Sequence, residues 1–340
     1  MITAYWFNSR QDDAEILSPE FFNPSSQFRI HAELPSAVKF PIHIDISALC
    51  MGSVMFNKTY TIENDEAEGD AKFWMHPGKK FFVFGDYVTT LENDPCQLDI
   101  KIIAGGDVYT HSIACEYANI SGTTTDFSGK PFPAALIFQT YDFGDMGIGI
   151  WSDADGNYTV RLPKGEYNSI FVDDDSYGKT SLEAWGWKMI VDSDEVHDFK
   201  IGNGEVYSLD VWANNGGFPT LFIAFRPMAL SYALKKETRN IEINSKPYTL
   251  IDICPHISID DISVHINGCV ASKVSLQMIF ETGCDGNALP LYILQIKRLD
   301  TIGKQTLVLE YNFTDANGEA IQGQGRTQFN YTNLGGLAIR

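Results

Sequence analysis

The chain has 340 residues, room for two or three domains of ordinary size. A hydrophobic share of 44% supplies packed cores, and a charged share of only 20% argues against wholesale disorder. Asp and Glu number 44 against 25 Lys and Arg, and the resulting −19 repels phosphate backbones and anionic headgroups, which argues against bulk electrostatic binding to nucleic acid or membrane.

Along the chain, period-two alternation of apolar and polar residues predicts strands at 28–34, 40–46, 98–102, 135–141, 157–162, 167–173, 197–201 and 206–212. The same habit continues at 220–225, 261–266, 275–280, 291–299 and 306–313. Turn-forming pairs separate them: Asp155-Gly156, Asn203-Gly204, Asn267-Gly268, Asn317-Gly318, and the run Asn215-Gly216-Gly217. A short helix is expected within 228–239 and nowhere else. Many short strands punctuated this way predict an all-β protein of three consecutive β-sandwich domains, 1–117, 118–213 and 214–340. The middle segment is unusual in composition. Its 117–213 stretch holds sixteen acidic residues against six basic ones, a balance of −10, and four of the six tryptophans.

Three stretches of the middle segment form a recognisable series: 120–126 (ISGTTTD), 129–137 (GKPFPAALI) and 153–167 (DADGNYTVRLPKGEY). The series resembles the carboxypeptidase regulatory-like domain, a transthyretin-like sandwich of about seven strands. Locally, Asp155-Gly156 closes a hairpin and Tyr158, Val160 and Leu162 fill one face. Thr124 and Ala134 stand where that family more usually has Val and Gly. The resemblance implies an accessory, non-catalytic module. The flanking segments resemble immunoglobulin-like domains of the bacterial kind.

Catalytic signatures are absent from the sequence. There is no HExxH, no GxSxG and no GxxxxGK[ST], and the glycine-rich 144–149 leads into a hairpin rather than a helix. His31, His43 and His265 fall on the polar phase of alternating strands, which predicts solvated side chains. The six cysteines form no CxxC pair and divide three and three between the two ends, which reads as buried, reduced thiols. No basic-then-apolar leader opens the chain and no run of about 18 apolar residues occurs, so the chain as given reads as cytoplasmic, or extracellular if an export signal has been removed.

The candidate ligand-binding residues are Tyr177, Trp185, Trp187, Asp174 and Asp175. In an extended strand Trp185 and Trp187 share a face, and flat rings beside carboxylates suit a sugar, whose rings stack and whose hydroxyls need acceptors. The competing expectation is that the indoles pack a core. The carboxylates at 173–175 and 192–195, with Asp153 and Asp155, raise calcium as an alternative, without EF-hand spacing. The sequence therefore predicts no catalytic residue, no metal and no cofactor beyond that calcium alternative. Its partner is a glycan or a protein. A structural scaffold and a hydrolase with a site at a domain junction are the alternatives.

Overall fold

A computed structural model describes residues 1–8, 26–64, 72–75, 80–88, 91–140, 148–214, 218–298 and 301–331. The chain divides into two compact units, one built from Met1–Asn119, Arg161–Gly165 and Val191–Asp194, the other from Ile120–Val160, Glu166–Ile190 and Glu195–Arg340.

The first unit holds two four-stranded antiparallel sheets. One runs in the order Ile2–Phe7, Ser26–Glu33, Phe81–Val88, Lys72–Met75; the other runs Ser53–Ile62, Ile42–Cys50, Gln97–Ala104, Asp107–Ala114. Alternation explains the second sheet: Ile42, Ile44, Ile46 and Ala48 are buried while His43, Asp45 and Ser47 between them are not. Those side chains meet Trp6, Phe28, Ile30, Phe82 and Phe84 of the first sheet in one core, the arrangement of a β-sandwich.

The second unit is larger. An eight-stranded sheet runs Ile148–Trp151, Ala135–Gln139, Gly165–Asp173, Ala184–Val191, Ala320–Tyr331, Gly303–Thr314, Ile262–Ile266, Cys269–Val270. The parallel pairing of Ala184–Val191 with Ala320–Tyr331, Trp185 opposite Gly325 and Trp187 opposite Thr327, makes it continuous. A six-stranded sheet runs Gly204–Ala213, Thr220–Ala229, Asn287–Lys297, Lys246–Ile251, Thr238–Ile243, with Lys273–Thr282 also paired to Asn287–Lys297. Val206, Ile223, Phe225, Leu294 and Ile296 of this sheet interleave with Val264, Leu307, Leu309, Tyr311 and Ile321 of the eight-stranded one. Where Gly204–Ala213 crosses Ala320–Tyr331, a Cβ at Gly325 would stand 2.7 Å from Val206 Cβ, so the crossing requires glycine. A small sheet joins Asn157–Pro163 to Tyr117–Asp126, which also pairs in parallel with Glu195–Val196 and Phe199–Ile201.

The architecture is all-β with several sheets, as the alternation predicts. Tyr158, Val160 and Leu162 are each buried, and Gly156, Gly268 and Gly318 take the positive φ their turns demand. The α-helix Leu230–Lys235 falls within the expected 228–239; Thr220–Ala229 stays extended up to it and Lys236 ends it in the left-handed conformation. Three expectations need correction. Asn203-Gly204 is no left-handed turn; Gly204 opens a strand, and its missing Cβ makes room for the Tyr311 hydroxyl. His31 is buried rather than solvated, because both faces of Ser26–Glu33 are covered and its ring lies against Tyr5 and Phe81. All six thiols are free, but only Cys254 is buried, while Cys96, Cys269 and Cys284 are exposed. The run 215–217 and residues 144–147 of the glycine-rich stretch lie outside the described residues.

Candidate functional site

Trp185 and Trp187 do lie on one face, as their spacing predicts. Their rings stack with centroids 4.5 Å apart and planes 11° apart. That face does not meet solvent. Tyr207, from the crossing strand Gly204–Ala213, stands edge-on to both indoles at 5.5 and 5.2 Å, and Phe171 lies 5.4 Å from Trp185. Trp185 is 3% exposed, and the half-buried Trp187 packs on the core and donates Nε1–H to the Val206 carbonyl at 3.4 Å. A sugar cannot stack on Trp185, so the expected aromatic platform is corrected to a packed aromatic wedge. Of the three rings only Tyr177, 46% exposed, remains open.

Glu183 and Glu205, which nothing in the sequence singles out, gather beside the wedge with Asp173. Glu205 is 2% exposed, and its carboxylate accepts the Glu183 backbone N–H at 3.2 Å. Burial pushes Glu205 up to about 7. Burial, followed by the charges of Glu205 and Asp173, pushes Glu183 up to about 8, with the Trp185 indole opposing through a hydrogen bond. Asp173 rises to about 6, again first through burial and then through Asp174 and Asp175. The same carboxylates, after burial, push the Tyr177 phenol up to about 12.

The acidic loops serve as turn formers. Asp174 accepts from the Ser176 amide at 2.9 Å and from its hydroxyl, and Asp153 accepts from the amides of Asp155 and Asn157 at 2.9 and 2.8 Å. Asp175 contributes its backbone carbonyl to Lys179 Nζ at 2.8 Å. Asp194 accepts the Asn119 amide at 2.7 Å. Among the described residues no three His, Cys, Asp or Glu side chains are placed to hold a metal ion.

A second polar cluster is buried in the larger unit. Glu195 accepts from His197 Nε2 at 3.1 Å, from Gln328 Nε2 at 2.7 Å and from Lys304 Nζ. Burial alone would raise Glu195, yet the hydrogen bonds from His197, Lys304 and Gln328 hold it at about 2. His197 is lowered, chiefly because burial disfavours its cation. These four side chains tie the short strand Glu195–Val196 to Ala320–Tyr331.

One strand edge is open. Lys273–Thr282 pairs with Asn287–Lys297 on one side, and among the described residues nothing pairs with its other side. Phe280 stands opposite Pro290, which has no N–H and whose carbonyl accepts from Arg226 Nε at 3.1 Å and Cys254 Sγ at 3.7 Å, away from Phe280. Antiparallel ladders alternate between exchanging and non-exchanging pairs, so Leu276, Met278 and Phe280 all turn their N–H and C=O groups to the free edge. Exposed Val274, Met278 and Ile279 line the same strand at 47%, 37% and 39%.

The class that the fold defines is a multi-sheet β-sandwich protein. No protein-family model matches the chain, and no curated protein matches it. Among solved structures it is similar to a marsupial T cell receptor, at 9% identity over 95% of this chain and 98% of that one, with a TM-score of 0.17. It is also similar to a streptococcal ancillary pilin, at 7% identity over 89% and 92% with a TM-score of 0.19. A tetra-tandem repeat in the extending region of a large adhesion protein aligns at 10% identity over 97% and 75%, with a TM-score of 0.17. Likenesses at such scores carry no argument about function, which rests on the chain's own geometry. Among the described residues no helix is long and apolar enough to cross a membrane.

Proposed function

We propose that this chain is a non-catalytic β-sandwich scaffold that works through protein–protein contact, with the open edge of Lys273–Thr282 as its contact element. The observation that carries the reading is the free backbone of Leu276, Met278 and Phe280 beside exposed Val274, Met278 and Ile279. Proteins usually blunt such edges with charge, proline or a bulge, because an open edge templates pairing with another strand. Here the register shift between Lys273 and Ser275 bends only the beginning, and the rest runs without proline or lysine.

The partner that fits is the same strand of a second copy, antiparallel about Met278. Leu276 of one copy then faces Phe280 of the other, and every outward N–H meets an outward carbonyl. The strand carries one lysine and one glutamate, a neutral line in a chain of net charge −19. Sedimentation velocity across the micromolar range is expected to show a monomer–dimer equilibrium, with amide exchange slowed at Leu276, Met278 and Phe280. Met278→Pro, which removes a donor at the centre, is expected to give monomer alone. A wild type that stays monomeric, with those amides unprotected at every concentration, would overturn the reading.

Within this scaffold we read 118–213 as the carboxypeptidase regulatory-like domain and 1–117 and 214–340 as immunoglobulin-like sandwiches. The Asp153 turn with Gly156 at φ +76 supports the first assignment. Glycan recognition at Tyr177, Trp185 and Trp187 is disfavoured by the burial of Trp185.

A further inference from the structure

Among the described residues seven non-glycine residues have positive φ. Met51, Asn244, Ser245 and Asn267 lie in hairpin turns and Lys236 ends the helix, where that conformation is ordinary. Lys188 (φ 51) and Ser208 (φ 55) are different, because each lies inside a strand. Left-handed backbone at a residue with a side chain is strained, and within a strand no turn requires it.

Both break the alternation of their strands. At Gly186 a Cβ would meet Met189 Sδ at 3.3 Å, so Gly186 and Met189 share a face although they are three residues apart. The phase shift at Lys188 thus leaves Ile190 on the side of Trp187. In the facing sheet, Ser208 and Leu209 form a bulge between Tyr207, opposite Arg226, and Asp210, opposite Ala224. The two irregularities meet: Lys188 Nζ and Asp210 Oδ1 are 2.8 Å apart, bridging the two sheets.

Beneath that bridge lies a groove of about 610 Å³, within the size range of small-ligand sites. Glu166 and Asn168 enter from Gly165–Asp173, Phe329 and Asn330 from Ala320–Tyr331, and Lys188 and Asp210 close it. The amides both donate and accept, the carboxylates accept, the ammonium donates, and the half-buried Phe329 ring offers an apolar face. Hydroxyl groups, which donate and accept at every position, match that set. An anion does not, because the groove's own side chains sum to −1 and the 117–213 stretch to −10. We infer that this groove, framed by the two strand irregularities at Lys188 and Ser208, is a binding site for a neutral oligosaccharide. It is independent of the strand edge and does not use the Trp185 ring.

The test is a titration followed by tryptophan fluorescence and calorimetry. The probes are the neutral hexasaccharides of the cello-, xylo-, manno-, malto- and chito- series. At least one is expected to bind saturably, and Asn168→Ala and Asp210→Ala each to weaken it by roughly tenfold or more. Lys188→Gly separates binding from folding. Glycine accepts φ 51 without strain, so this variant is expected to melt at or above the wild-type temperature while losing the sugar. Absence of saturable binding to all five series, or binding that all three variants leave intact, would overturn the assignment. Met278→Pro is expected to leave sugar binding unchanged, so this site and the strand edge fail separately.

Discussion

The Glu183 amide donates to the Glu205 carboxylate at 3.2 Å, which places two acidic side chains of neighbouring segments in one buried pocket of negative charge. Their folded-state values of about 8 and about 7 both lie above the ordinary 4.5. At these two carboxyls the folded chain therefore holds more protons than the unfolded one between pH 4.5 and 8, and their contribution to stability falls as pH rises through that window. Glu205→Gln removes the group that resists ionisation. It is expected to stabilise the protein at alkaline pH by about 3 kcal/mol, to change little in mild acid, and to flatten the slope between. Urea unfolding at mildly acidic and mildly alkaline pH measures this; a slope equal to wild type would show that the pair ionises freely.

The Trp185–Trp187 stack makes a second expectation. Because Trp185 is enclosed by Trp187, Tyr207 and Phe171, Trp185→Ala leaves a cavity and is expected to cost about 3–5 kcal/mol. Trp187 keeps part of its surface in water, so Trp187→Ala is expected to cost less than that. Both variants should also lose the coupled indole signal in circular dichroism. If Trp185→Ala unfolds at the wild-type denaturant concentration, the wedge does not share load with the core.

What the sequence made legible and what it hid follow from how strands are covered. Ile42–Cys50 and Gln97–Ala104 bury one face only, so apolar residues recur at every second position and can be read directly. Ala320–Tyr331 is covered on both faces and goes unseen. Its core-side positions include Gly323 and Gly325, where a strand crosses, while Gln324, Arg326 and Gln328 are buried on the other side. Ala184–Val191 escapes because Lys188 shifts its phase. The spacing of Trp185 and Trp187 gave their common face, but not what covers it, since Tyr207 arrives from a different strand. Glu183 with Glu205, and Lys188 with Asp210, are separated by 22 residues and meet only through that same crossing. Nothing local in the sequence marks them.

Glu195 concentrates three donors on one carboxylate, and this asymmetry gives a third prediction. Glu195→Ala removes the carboxylate partner of the buried His197 and one acceptor each from Lys304, which keeps the Ile190 carbonyl, and Gln328, which keeps the Thr306 hydroxyl; it is expected to cost about 1–3 kcal/mol, whereas Glu195→Gln, which keeps one acceptor, costs less. His197 contributes a pH dependence opposite in sign to that of Glu205. Its folded-state value lies below the ordinary 6.5, so as pH falls below 6.5 the unfolded state takes up the proton first and stability declines. His197→Gln should remove that acid-side decline in a thermal melt series; persistence of the decline would assign it to other groups.

Gly318 and Gly325 are required for different reasons and respond unequally to the same substitution. Gly318 sits at φ +83 with nothing within 4 Å of its missing Cβ, so its requirement is conformational. Asparagine tolerates the left-handed region, and Gly318→Asn is expected to cost less than about 1 kcal/mol. Gly325 has no positive φ, but its Cβ would lie 2.7 Å from Val206 Cβ and 2.8 Å from Val206 Cγ1, so its requirement is space. Gly325→Asn must push Gly204–Ala213 away from Ala320–Tyr331 and open the core around Val206. The expected cost is at least the 1–3 kcal/mol typical of overpacking, and Gly325→Ala should already reach that range. Denaturant midpoints for the three variants decide the matter: if Gly325→Asn is as mild as Gly318→Asn, the two strands do not cross in contact, and the enclosure of Trp185, Glu205 and the Lys188–Asp210 groove falls with them.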